Sequence, residues 1–180
     1  MKLSVDNISI NWNYGLSIQP VSVFLNLKND FDTVSYELEE VFKTVTATEV
    51  KDVMFYGDFS EVENLNWLTV KLLAEGYFVS AIMNIKDKAL PIIRASRVIV
   101  YLELDDIKNS DLSGLTESDY IIINESKVNR ILATAVRLSG LGTRIGRLYF
   151  NTLLLSREDA LKSEKLFNIY PYDGDNIEVD

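Results

Sequence analysis

The chain has no cysteine and no histidine among its 180 residues. Without thiols there are no disulfides, thiolate nucleophiles, iron–sulfur clusters or cysteine-type zinc sites. Without imidazoles there are no histidine bases or histidine metal ligands, and a Ser–His–Asp triad is excluded. Proline (3) and glycine (8) are too scarce for a long flexible linker. Positive charge is short as well: 18 Lys and Arg face 27 Asp and Glu, for a net charge of −9. A domain this acidic repels phosphate backbones, so nucleic acid is not an expected partner. Arg130, Arg137, Arg144 and Arg147 have the spacing of a solvated face.

Charge is missing altogether from residues 7–27, yet Asn7, Asn11, Asn13, Gln19, Pro20 and Asn26 make that stretch too polar to span a bilayer. The N-terminus lacks the apolar core of a signal peptide. The expectation is a cytoplasmic protein without a membrane segment.

What the sequence does have is apolar periodicity. Hydrophobic residues make up 47% of the chain, enough to build a core. Residues 3–10 alternate weakly and fit a short edge strand, while 11–20 read as a loop carrying Trp12 and Tyr14. Near-continuous apolar runs at 21–27, 52–57, 77–85, 97–104, 119–124 and 147–153 fit six buried strands.

Between the runs lie helical patterns. Asp32 or Thr33 caps the first, with Leu38, Val41, Phe42 and Val45 inward. Asn64 or Asn66 opens the second and Gly76 closes it. Residues 89–95 read as a short helical segment, and Ser126 begins a helix ending at Gly140. Ser156 begins the last with Asp159 in the place of a capping-box glutamate.

Strands alternating with helices predict an α/β fold of repeated βα units. Its sheet is mostly parallel and six-stranded, arranged as an incomplete (βα)6 barrel or an open doubly wound sheet. Residues 1–172 form one domain, and 173–180 an acidic tail.

Sites in such folds lie at the carboxyl ends of the strands. There the sequence places Gly57, Asp58, Asn84, Glu103, Asp105 and Asn124, the candidate ligand-binding set. Its oxygen donors suit Mg²⁺, with Asp58 and Asp105 as candidate ligands, although polar residues also end most strands as turn formers. The run from Gly140 through Gly142 to Gly146 imitates a dinucleotide fingerprint, but it follows a helix rather than a strand, so a C-cap and a turn explain it.

The layout resembles the small radical-SAM domains of ribonucleotide reductase activating proteins and 7-carboxy-7-deazaguanine synthases. Residues 21–27 are similar to the strand before their cluster loop, and residues 33–46 to the helix after it. Val53-Met-Phe-Tyr-Gly-Asp58 stands where those families carry a Gly-Gly-Glu motif against the SAM amino group. The resemblance assigns Gly57 to one glycine and Asp58 to the glutamate. Residues 72–84 resemble the βα unit that follows.

The three cluster cysteines of the family are absent, and residues 28–32 (KNDFD) stand in their place. No [4Fe–4S] cluster can be held, so reductive SAM cleavage is lost. The resemblance therefore implies a cluster-free, non-catalytic relative that works by binding a protein partner, with Trp12, Tyr14 and the segment to Pro20 as part of the interface. No cofactor is expected. The alternative is a ligand-binding protein or Mg-dependent enzyme using SAM, a nucleotide or Mg²⁺ at the acidic strand ends.

Overall fold

A computed structural model describes residues 1–14, 18–28, 32–84, 92–108, 112–140, 147–151, 154–167 and 170–172. The contacts divide the chain into two compact units, residues 1–83 with 91–98, and residues 84–90 with 99–180. Both are α/β.

The first unit begins with a long hairpin, β1 (Lys2–Tyr14) and β2 (Ile18–Leu27), followed by a short strand β3 (Val34–Glu37) and helix α1 (Leu38–Ala47). Then come β4 (Asp52–Gly57), α2 (Val62–Ala74) and β5 (Phe78–Asn84). Sheet order is β3-β1-β2-β4-β5. β2, β4 and β5 are parallel, whereas β1 is antiparallel to both β2 and β3.

Strand periodicity of two puts matched residues of the parallel strands in rows. Val23, Val53 and Val79 form one row, and Leu25, Phe55 and Ala81 the next. All six are fully buried. Leu38, Val41 and Val45 of α1 and Leu65, Leu68 and Leu72 of α2 close over this face, which is why each helix keeps an apolar stripe. Lys71 of α2 joins the helices at the rim, with its Nζ 2.7 Å from Glu39 and 4.1 Å from the centre of the Trp67 ring.

The following row ends the pattern. Gly57 lies opposite Leu27 with φ +112°, and the Leu27 carbonyl accepts the Asp58 N–H at 2.8 Å. A Cβ on residue 57 would stand 2.0 Å from that carbonyl oxygen. Only glycine fits the position.

The second unit holds β6 (Arg97–Leu102), of which residues 99–102 belong to it, a 3₁₀ turn (Asp106–Lys108), β7 (Tyr120–Ile123) and α3 (Val128–Gly140). It continues with β8 (Arg147–Asn151), α4 (Arg157–Phe167) and β9 (Tyr170–Tyr172). The order β6-β7-β8-β9 is parallel throughout. All four residues of β7 are buried, as suits a central strand covered on both faces. Ile123 and Phe150 of adjacent strands pack with Ile131 and Ala135 of α3.

The α/β class and all six anticipated strands are present; the edge strand expected over 3–10 is the longer β1, β3 adds a second antiparallel partner and β9 a further parallel strand. Residues 11–14 and 18–20, read from sequence as loop, are extended strand. Residues 34–37, expected to be helical, pair with β1 instead, so α1 starts at Leu38 with Glu37 as its N-cap residue. α2 opens at Val62 rather than at Asn64 or Asn66, and α3 at Val128.

Residues 92–95 are not helical. The Asn66 side chain holds this segment, donating to the Ile92 carbonyl at 2.9 Å and accepting from Arg94 N–H at 2.8 Å. The rest of the expected 89–95 helix, the glycine run 141–146 and the acidic tail lie outside the described residues. Two caps form as read. Gly76 (φ +78°) and Tyr77 donate to the Leu73 and Leu72 carbonyls, and the Ser156 hydroxyl accepts from Asp159 N–H.

Gly57→Ala is expected to lower stability by about 3 kcal/mol or more, since both the positive φ and the contact with Leu27 must give way. Chemical denaturation at constant pH measures it.

Candidate functional site

In the first unit the carboxyl ends of β2 and β4 border a shallow recess reached by Ser4, Lys28, Asp58, Ser60 and Glu61. Its polar groups are committed to one another. Asp58 Oδ1 accepts the Ser60 N–H at 2.8 Å, which makes the turn from β4 into α2. Both oxygens of Glu61 bind Ser4, one taking its N–H at 2.9 Å and the other its hydroxyl at 2.7 Å. Asn64 Nδ2 donates to the Lys2 carbonyl at 2.6 Å, and Lys28 Nζ lies 3.4 Å from Asp6. These contacts anchor the start of β1. Gly57 is explained by its backbone conformation and by the nearness of Leu27.

In the second unit the ends of β6 and β7 gather Glu103, Asp105, Asn124 and Glu125. Glu125 is buried, accepting the Leu104 N–H at 2.7 Å and the Arg130 Nε–H at 2.6 Å. Arg130 also reaches Asp105 at 3.0 Å, and these two carboxylates hold its guanidinium proton more firmly than usual. Glu103 is exposed, its N–H donating to Asp106 Oδ2 at 2.8 Å. Asn124 Oδ1 accepts from Asn151 Nδ2 at 3.0 Å.

The six sequence candidates belong to different elements. Gly57 and Asp58 lie at the end of β4, Glu103, Asp105 and Asn124 in the second unit, and Asn84 is exposed at the end of β5. Among the described residues no group of three or more acidic side chains is arranged to hold a metal ion. No helix among them is long and apolar enough to cross a membrane.

One other feature is the hairpin beyond its root. β3 covers β1 only at residues 2–5, and β4 covers β2 only at residues 23–27. Among the described residues β1 and β2 pair with each other alone over residues 11–14 and 18–22, whereas residues 7–10 of β1 pair with 23–26 of β2, which β4 also covers. The result is a two-stranded arm. A β-bulge lies at Asp6, whose carboxylate accepts from Asn26 Nδ2 at 2.9 Å, and a second irregularity follows Asn11, where the arm begins.

Compared with protein-family models, with curated proteins and with solved structures, the chain matches none.

Sequence reasoning read residues 11–20 of the arm as a loop and overlooked Glu61 and Asp52. Asp52 opens β4 on the sheet face away from α1 and α2, opposite Phe78, over whose ring Arg97 sits at 5.2 Å. Its Oδ1 is buried with no hydrogen-bond partner, as is the neighbouring Ser80 hydroxyl. A charge at the first position of a buried strand was the available signal.

Burial raises the Asp52 carboxyl from 3.8 to about 6, against the opposing pull of Arg97. A carboxyl that holds its proton more tightly folded than unfolded favours the fold at low pH and gives that up as pH rises through about 6. Asp52→Asn is therefore expected to stabilise the protein above neutrality by on the order of 1 kcal/mol, after allowance for partial exposure, and to gain nothing below about pH 4. Melting curves across pH test this.

Proposed function

We propose that the protein works by binding another polypeptide, with the β1–β2 arm as its contact surface. The observation that carries this reading is the arm itself: residues 11–14 and 18–22, paired with each other and without further strand neighbours among the described residues, inside the stretch 7–27 that has no charged residue. An isolated two-stranded ribbon is marginal in water, and an uncharged strand edge invites pairing. Trp12 and Tyr14 belong to the arm, and such residues are favoured anchors in interfaces.

The frame on this reading is a cytoplasmic relative of the small radical-SAM domains, an incomplete (βα)6 barrel or open doubly wound sheet without a cluster. The polar groups at the ends of β4, β6 and β7 then serve the fold, since Asp58, Glu61, Glu125 and Asn124 are bonded within the chain. The other reading, Mg²⁺ or SAM at the acidic strand ends, draws support from Glu125, a buried carboxylate beside exposed Asp105.

Tagged protein is expected to retain another chain, whether a further copy or a different protein, through extensive washing. A Trp12→Ala, Tyr14→Ala variant with an unchanged melting temperature should retain at least tenfold less, in line with the loss of interface anchors worth about 2 kcal/mol. Unchanged retention in the variant, with calorimetric binding of Mg²⁺ or SAM, contradicts the proposal.

A further inference from the structure

Sheet edges in stable proteins are blunted by shortness, charge, proline or bulges. The edges of the first unit differ sharply in this respect. β3 is only four residues long, and its Glu37 pairs with the N-terminal ammonium at 3.4 Å and with Lys2 at 3.9 Å. β2 contains Pro20, which has no N–H to offer.

The outer edge of β1 over residues 7–14 has neither charge nor proline. Antiparallel pairing with β2 uses alternate N–H and C=O groups of β1, and the remainder point outward along that edge. The last charge before it, Asp6, is bonded to Asn26 of β2 and paired with Lys28. Among the described residues no strand pairs with the outer edge of β1 over residues 7–14, and that edge is the one open to another strand.

We infer that the strand it accepts is β1 of a second copy of this chain, running antiparallel about a two-fold axis. The inference rests on the binding role proposed for the arm and names its partner. Charge selects the second copy. Each chain carries a net charge of −9, so two copies repel wherever their charged surfaces approach, and residues 7–27 are a stretch without charge. A basic partner would be drawn to the acidic surface and would gain nothing from a neutral arm.

Symmetry adds a second argument. Antiparallel pairing of a strand with its own copy uses the same edge on both chains. The assembly therefore closes at two and leaves no β1 edge open for further growth. Backbone groups form the contact, so it needs no particular side chain at each position.

Sedimentation velocity over a wide concentration range tests the inference with charge-swapped chains. The unaltered protein is expected to show a species of twice 20.5 kDa that dissociates on dilution. Asn11→Lys alone and Asn11→Glu alone should each weaken dimerisation at least tenfold, and mixing the two variants should restore it. A merely structural role for residue 11 would not produce that recovery. A monomer at every concentration, or a dimer indifferent to both variants, overturns the inference. If the protein is monomeric yet still retains a different chain through Trp12 and Tyr14, only the second copy is refuted; if that retention is absent too, the binding role falls with it.

Discussion

The Glu61 carboxylate is the contact on which the first unit's antiparallel part depends. Glu61 is the N-cap residue of α2, yet its side chain makes no capping bond. Both oxygens go to Ser4 instead. The helix thereby gives up a capping interaction typically worth about 1 kcal/mol, while β1 gains a charge-assisted anchor at its N-terminal end. Asn64, one turn into the same helix, adds a bond to the Lys2 carbonyl. With residues 2–5 bonded to α2 and β3, Leu3 and Val5 are held in the core, and past the bulge at Asp6 β1 continues along β2. A β1 lacking this anchor would be held by its pairing with β2 alone.

The same region explains a motif that sequence alone invites one to read chemically. A glycine and an acid at the end of a parallel strand look like ligand-binding groups. Here Gly57 is required because β4 approaches the Leu27 carbonyl too closely for any Cβ, and Asp58 turns the chain into α2. The second unit repeats the lesson with different atoms, since Glu125 satisfies a backbone N–H and fixes Arg130. Asp52 differs. Its carboxylate lies partly buried with one oxygen unpartnered, a cost the fold carries near neutral pH.

The parallel strands were legible because each is a nearly continuous apolar run, as strands covered on both faces must be. The caps at Gly76 and at Ser156 with Asp159 were legible for local reasons: a positive φ and a side chain three residues from its partner. What escaped depends on distant pairing. Val34-Ser-Tyr-Glu37 suits a helix start as well as a strand, and β1, more than thirty residues earlier, decides between them. The asparagines of 11–20 suggest a loop until β2 supplies partners for the backbone. Glu61 and Ser4 are likewise 57 residues apart, beyond any local signal. At the strand ends the sequence identified polar residues correctly, but their hydrogen bonds to nearby backbone and side chains are visible only in the fold.

Amide hydrogen exchange resolved by residue measures the paired arm and its open β1 edge directly. In dilute protein the amides of residues 8–14 should alternate, those directed at β2 protected and those between them exchanging nearly as fast as in an unfolded chain. Raising the protein concentration should slow the fast set alone. Uniformly fast exchange would contradict the paired arm, and uniformly slow exchange at every dilution would contradict its open edge.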